Sequence, residues 1–214
     1  MARDITRRSQ TMGEEIANTI SHGVGALLAV AGGIPLVIKG IMAGSAKAGA
    51  SLTFYAITLV LLYTASAVYH GVRNPALKRV LRVMDHCSIF LLILGTYVPL
   101  SLLVVGGRTG WALFLTNTTL AVVGITLNAI SLTRFDKISL VLYALMGWLV
   151  ILALRTILQV LAPAGVALLV AGGVAYTAGI YFYKSQRKYS HFIWHLFVLA
   201  GSVLHYLCVA LYCV

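Results

Sequence analysis

Three histidines have the residue type and the spacing of a metal site. His191 and His195 are one helical turn apart, so a helix would present both imidazoles on the same face. This spacing is how helices offer two imidazoles to one zinc ion. A catalytic zinc takes three protein ligands and keeps a fourth position open, and His70 supplies a third imidazole. The sequence therefore predicts that Zn2+ binds to His70, His191 and His195.

A carboxylate and a hydroxyl accompany these histidines. Asp85 is one of five acidic residues in the chain, and it could hold or deprotonate a water molecule at the metal. Ser66 is one turn before His70, so its hydroxyl can reach towards the same site and steady a developing oxyanion. We therefore assign candidate catalytic roles to Asp85 and Ser66. The alternative is that these side chains only form hydrogen bonds between helices.

Three further polar residues occur in the first predicted helix: Glu15 and His22 lie nearly on one face, with Asn18 slightly to the side. One interpretation is that they orient the metal ligands through hydrogen bonds. The other is that acidic residues stabilise the positive end of the helix dipole. The sequence leaves both open. His205 lies about 21 Å beyond His191 along the helix axis, so we expect it to form a hydrogen bond between helices instead of joining the metal site.

The composition indicates the kind of protein that must position these residues. Of 214 residues, 60% are hydrophobic and 10% are charged, whereas a soluble domain is about 45–50% apolar and about 25% charged. This excludes a soluble domain, a disordered chain and a disulfide-stapled secreted module. The formal net charge of +11 would suggest a nucleic-acid partner in a soluble protein, but membrane proteins place basic residues beside anionic headgroups. The chain is therefore predicted to be a polytopic membrane protein without a nucleic-acid partner.

Seven apolar runs are long enough to cross a bilayer, which takes about 20 residues each. They are residues 17–38, 50–70, 83–105, 111–132, 138–157, 163–183 and 190–213. The connectors between them are too short to hold a second domain. We therefore predict an all-α bundle of seven transmembrane helices, with residues 1–16 as a cytoplasmic N-terminal segment and residues 17–214 as a single domain.

The basic residues predict the orientation of this bundle. Of the 16 lysines and arginines, all but four lie in the N-terminal segment and in every second connector. The four exceptions are Lys39, Lys47, Arg108 and Arg155. Because cytoplasmic loops carry the excess of Lys and Arg, we predict a cytoplasmic N-terminus and an external C-terminus in the cell inner (plasma) membrane. All the candidate site residues then lie at the cytoplasmic level of four different helices, which scattered structural histidines would not explain.

Four sequence elements resemble the hemolysin III family. They are EEIANTISHGVGA at the start of the first span, SAVYH at the end of the second, MDHCSIFLLILGTYVP in the third and HFIWHLFVLAGSVLH in the seventh. That family is grouped with the progesterone and adipoQ receptors, the adiponectin receptors and the alkaline ceramidases. The resemblance implies a seven-helix bundle with zinc near the cytoplasmic boundary. It also implies that Ser66 with His70, Asp85, and His191 with His195 form the site.

Three functions are compatible with these residues. The first is a zinc-dependent hydrolase of lipid amide or ester bonds that serves membrane lipid homeostasis, because the resemblance includes relatives that act on ceramides. The second is a receptor or sensor in which the zinc is structural and a membrane lipid is the ligand. A cytolytic pore is the least favoured, because a pore needs a polar path through the whole membrane. Whether the chain is an enzyme, which lipid it takes and its oligomeric state are left open by the sequence.

Overall fold

A computed structural model describes residues 8–214, and every regular element within this range is helical. The elements are α1 (Met12–Met42), α2 (Ala46–Gly71), α3 (Pro75–Pro99), a π-helical segment (Leu100–Val105), α4 (Gly107–Trp148), a 3-10 segment (Leu149–Ala153), α5 (Leu154–Val160), α6 (Pro163–Lys184) and α7 (Ser190–Tyr212). The all-α prediction is therefore confirmed for the described part of the chain. The predicted N-terminal segment, residues 1–16, lies partly outside that part, and its last five residues form the first turn of α1.

Capping residues explain where two of the helices that carry the site begin. Thr11 precedes α1 and forms a reciprocal capping box with its first turn. Asn74 accepts hydrogen bonds from two backbone N–H groups at the start of α3, where Pro75 occupies the first helical position. An ion pair of 2.9 Å between Lys78 Nζ and Glu15 Oε1 joins the two helix starts. The first turns of α1 and α3 therefore lie at the same end of the bundle.

Six helices are long and apolar enough to span a membrane, one fewer than the sequence predicts. The predicted spans 111–132 and 138–157 fall within one helical stretch, Gly107–Val160, because the residues between them remain helical. Within α4 only Ser131 departs from helical geometry, with an extended backbone at φ −167° and ψ 106°. A straight helix over this whole stretch would be about 80 Å long, far more than the ~30 Å of a hydrocarbon core.

The long helix α4 turns back on itself at Ser131. Asn117 Nδ2 donates to the carbonyl oxygen of Met146 at 3.3 Å, although a straight helix would place these residues about 43 Å apart. Nearer the bend, Ser139 Oγ donates to Asn128 Oδ1 at 2.6 Å. The two halves of α4 are therefore antiparallel and are held together by buried hydrogen bonds.

The arrangement of the bundle brings α1, α2 and α7 together. The helix α2 packs against both α1 and α3, and α7 packs against α1 and α6. The outer surface carries large apolar side chains such as Leu27, 72% exposed, and Leu152, 74% exposed. Extensive exposed apolar surface is typical of contact with lipid or with another protein. Together with the six apolar helices, this surface indicates a multi-pass membrane protein.

Candidate metal centre

Three histidines from two helices meet at one end of the bundle. One ring nitrogen from each of His70, His191 and His195 lies within 4.8 Å of the other two. The ring centroids are 5.2 Å apart for His70 and His191, 5.0 Å for His70 and His195, and 4.7 Å for His191 and His195. His70 is in the last turn of α2, and the other two face it from the start of α7. The structure thus brings together the three residues that the sequence selected.

His70 is oriented by a carboxylate on the neighbouring helix. Its Nδ1 atom lies 2.7 Å from Glu15 Oε2, and the other oxygen of Glu15 pairs with Lys78. Because a carboxylate only accepts hydrogen bonds, Nδ1 carries the proton and Nε2 keeps its lone pair. A histidine that donates one N–H to a carboxylate while its other nitrogen binds a metal is a common arrangement in zinc sites.

His195 has the same tautomer for a different reason. Its Nδ1 atom lies 3.1 Å from Ser21 Oγ, and the Ser21 hydroxyl donates its only proton to the carbonyl oxygen of Asn18 at 2.9 Å. Ser21 Oγ must therefore accept from the N–H at Nδ1 of His195. The Nε2 atom of His195 is left with its lone pair, as in His70.

The donor atoms fit a metal ion. Nε2 of His70 and Nε2 of His195 are buried and form no hydrogen bond with any described residue, which is unusual for buried polar atoms. Imidazole nitrogens bound tetrahedrally at about 2.0–2.1 Å stand about 3.4 Å apart. Ring movements of about 1 Å would close the observed group around an ion of that geometry. Imidazole ligands suit zinc, copper, iron and nickel.

Asp85 and Ser66 lie beside the histidines and are both buried. The polar neighbours of the Asp85 carboxylate are His70, the Ser66 hydroxyl and Arg82. Ser66 Oγ is buried and forms no hydrogen bond of ordinary geometry with the described residues. The Asp85 carboxylate is not among the atoms that meet within 4.8 Å. It therefore stands next to the three histidines instead of completing their donor set.

Asn18 and His22 contact the histidines in different ways. Asn18 Nδ2 lies 3.4 Å from Nδ1 of His70 and donates to Gln10 Oε1 at 2.6 Å. His22 stacks face to face on His195, with ring centroids 3.5 Å apart and an interplanar angle of 9°. Glu15 and Asn18 thus reach His70, whereas His22 supports the ring of His195 by stacking.

A second carboxylate, Glu14, fixes α1 against the turn before α7. Glu14 is 2% exposed, and its Oε1 accepts from the backbone N–H of Tyr189 at 2.8 Å and from the guanidinium group of Arg8. Tyr189 has a positive φ of 63°, which is uncommon for a residue with a side chain. The Glu14 bond holds this turn in place. His191 follows two residues later, so the turn sets its position relative to α1.

Sequence reasoning missed Ser21 and Lys78. Ser21 is one helical turn after Asn18 on α1, so the period that singled out Asn18 also points to Ser21. In the sequence, Lys78 stands out only as one of the basic residues in a connector. Its contact with Glu15 depends on how α1 packs beside the start of α3, which no local spacing reveals.

A cavity begins beside Asp85 and His22, which are neighbours of the candidate ligands. Its walls are formed mainly by apolar side chains of α3, α4, α6 and α7. Two lining residues, Gly147 of α4 and Thr177 of α6, are exposed at the outer surface. The cavity therefore connects the neighbourhood of Asp85 with the apolar surface of the bundle.

Comparisons with known proteins identify the family. A family model described as "Haemolysin-III related" matches residues 10–206. Hemolysin-3 of Bacillus cereus is 39% identical over 213 residues, which cover 99% of this chain and 97% of that protein. The Hemolysin-3 homolog of Bacillus subtilis (strain 168) is 38% identical over 205 residues, covering 95% and 96%. The Monocyte to macrophage differentiation factor of Homo sapiens is 28% identical over 165 residues, covering 71% and 66%. The chain belongs to the haemolysin-III related family.

Proposed function

We propose that the chain is a zinc-dependent hydrolase of lipid amide or ester bonds that takes part in membrane lipid homeostasis. The observation that carries this proposal is the meeting of three imidazoles within 4.8 Å beside a buried carboxylate and a buried hydroxyl. Three protein ligands leave a coordination position for water or substrate, as in catalytic zinc sites. The cavity from Asp85 to the apolar surface favours a membrane lipid as the substrate.

Each residue near the three histidines has its own task in this proposal. The bound zinc supplies a Lewis acid that polarises a carbonyl group and acidifies water. Asp85 orients the attacking water and accepts its proton, and the same proton then passes to the leaving nitrogen or oxygen as the acyl bond breaks. Ser66 donates a hydrogen bond to the developing oxyanion.

Glu15, Asn18 and His22 support the ligands in this proposal. Glu15 fixes the tautomer of His70 through the bond of 2.7 Å. Asn18 lies between Gln10 and His70: its Nδ2 donates to Gln10 Oε1 and lies 3.4 Å from Nδ1 of His70. His22 keeps the ring plane of His195 by stacking. These three residues therefore hold the imidazoles in the orientation that a metal ion needs.

The activity test measures hydrolysis by the purified protein in lipid nanodiscs. Ceramide and a long-chain fatty ester are supplied, and the released fatty acid is quantified. Zinc-loaded protein should release acid, a chelator should stop the release, and added zinc should restore it. Asp85→Asn should keep the metal but lower the rate by about a hundredfold to ten-thousandfold, because an amide cannot accept the proton.

Asp136→Asn is the matched control for this test. Asp136 accepts a hydrogen bond from Tyr183 Oη, 2.8 Å away, and has no proposed catalytic task, so its variant should hydrolyse at the normal rate. If Asp85→Asn keeps both its zinc and full biological function while His191→Ala loses function, the zinc is structural and the sensor hypothesis replaces this one. Loss of the metal from Asp85→Asn would place Asp85 in the coordination of the ion.

We also propose that the chain crosses the plasma membrane seven times, with a cytoplasmic N-terminus and an external C-terminus. The antiparallel halves of α4 supply the additional crossing, because Asn117 reaches the carbonyl oxygen of Met146. The excess of basic residues in alternate connectors supports the orientation. Reporter fusions at the two ends should report opposite sides of the membrane. Two fusions on the same side would contradict the proposal.

A further inference from the structure

We propose that the cavity beside Asp85 has a second polar contact point, His205, which selects acyl chains that carry a hydroxyl group far from the hydrolysed carbonyl. This inference rests on the proposed function, since it takes the acyl chain of the substrate to occupy the cavity. It assigns to His205 a ligand contact in addition to its hydrogen bond between helices.

The cavity extends from Asp85, beside the metal centre, to His205. On α3 its lining includes Asp85 and Thr96, and on α7 it includes Trp194 and His205. Each pair is eleven positions apart, so each helix gives a length of about 16 Å. The lining on α3 runs one residue further, to Tyr97, so the two helices give similar lengths for the cavity. Most of the lining surface is apolar, as at Leu92.

One nitrogen of His205 is already used, and the other is not. Nε2 lies 3.0 Å from the carbonyl oxygen of Leu169, and because a carbonyl only accepts, Nε2 carries the proton. Nδ1 is therefore a hydrogen-bond acceptor, and no described residue donates to it. The imidazole lies on the cavity wall. Thr96 and Tyr176 also line the cavity, but their hydroxyl groups are already hydrogen-bonded to the Leu92 carbonyl oxygen and to Ser202 Oγ.

The neighbouring helix makes room for this imidazole. A Cβ atom at Gly172 would lie 2.2 Å from Cδ2 and 2.4 Å from Nε2 of His205, so any larger residue would displace the ring. An ionisable side chain within a membrane span is costly and by default marks a function. The hydrogen bond from His205 to Leu169, which joins α7 to α6, uses only one of the two ring nitrogens. The second nitrogen is the feature that a purely structural role leaves unexplained.

The length of the cavity sets where the hydroxyl must be. An extended chain advances about 1.2 Å per bond, since a residue of three bonds spans at most ~3.6 Å. About 16 Å then corresponds to about thirteen bonds between the carbonyl carbon and the oxygen that contacts His205. The oxygen of a hydroxyl on the twelfth carbon of an acyl chain is twelve bonds from the carbonyl carbon, close to this span. A hydroxyl on the second carbon would remain beside the metal centre.

The experiment compares three fatty acids that bind to the zinc-loaded protein in nanodiscs. Octadecanoic acid, its derivative with a hydroxyl on the twelfth carbon and its derivative with a hydroxyl on the second carbon compete with radiolabelled octadecanoic acid. We expect the first derivative to bind about fivefold to tenfold more tightly than the plain acid, the gain of one hydrogen bond. The second derivative should show no gain that depends on His205.

Two variants test whether this gain in affinity comes from His205. His205→Phe keeps the ring volume without the acceptor, so it should abolish the gain while octadecanoic acid still binds normally. Thr96→Val is the matched control, because Thr96 lines the same part of the cavity and its hydroxyl already donates to the carbonyl oxygen of Leu92 at 3.1 Å. It should keep the gain. If His205→Phe does not fold, the inference is tested on the unmodified protein by comparing the affinities of the two hydroxylated acids.

Equal affinity for all three acids, or a gain that survives in His205→Phe, would overturn the inference. Binding is measured without turnover, so its result is separate from the hydrolysis test. Selective binding without any hydrolysis would refute the proposed function and keep the contact at His205. Hydrolysis without selective binding would support the proposed function and refute the contact at His205.

Discussion

Two buried polar networks in this protein differ in what they leave unpaired. At the bend of α4, Ser139 donates to Asn128, Asn128 donates to Tyr143 Oη at 3.3 Å, and Tyr143 donates to the carbonyl oxygen of His86 at 2.8 Å. At the metal centre, the Nδ1 atoms of His70 and His195 are also bonded. Their Nε2 atoms, however, are buried without a partner in the described residues.

This difference separates a structural network from a site. Burying a polar atom without a partner costs about 1–3 kcal/mol, and the side chains at the α4 bend avoid this cost because each has a hydrogen-bond partner. At the metal centre, His70 and His195 each use only Nδ1 for a hydrogen bond. Their Nε2 atoms are unpaired in the described residues, and ring nitrogens of these two residues and His191 converge within 4.8 Å, as a metal site would require.

The largest effect is expected from removal of one imidazole. His195→Ala leaves two ligands for a site that needs three, so metal content measured by elemental analysis should fall from about one ion per chain to near zero. Because metal binding stabilises the folded state, the melting temperature should fall as well. His205→Ala, the same change on the same helix, should keep the metal. A His195→Ala protein that keeps its full metal content would contradict the distinction between the metal centre and the network at the α4 bend.

A smaller effect is expected from the residue that orients His70. Glu15→Gln keeps a hydrogen-bond acceptor and removes the charge, so metal affinity should fall about tenfold to a hundredfold. Competition with a fluorescent chelator measures this change. The result also decides between the two interpretations of Glu15 from the sequence. If Glu15 only stabilises the helix dipole, the variant should melt earlier but bind the metal as tightly as before.

The smallest effect on the metal is expected at the α4 bend. Asn128→Leu breaks the bonds to Ser139 and Tyr143 and should lower the free energy of unfolding by about 1–3 kcal/mol. Metal content and affinity should not change, because this network has no free donor atom for an ion. A large loss of metal from Asn128→Leu would mean that the two networks are coupled through His86 and its neighbour Asp85.

The sequence predicts that the three histidines share one end of the bundle better than it predicts the contacts around them. Helical spacing and the distribution of charges placed His70, His191 and His195 at one level, and the structure brings their rings together. The role of His22 is less visible, because stacking on His195 depends on the rotation of α1 relative to α7. The bend at Ser131 is hidden for a similar reason. The residues that follow it are compatible with a helix, and only the bonds between the two halves of α4 reveal the turn.

The bond between Glu14 and Tyr189 connects two parts of the chain that are synthesised far apart in time. It joins the first helix to the turn before the last one, and the three imidazoles come from α2 and α7. No complete set of three imidazoles exists until the ribosome has passed His195 and α7 has joined α2. A chain that is terminated before His191 lacks two of the three candidate ligands and should not retain a metal ion.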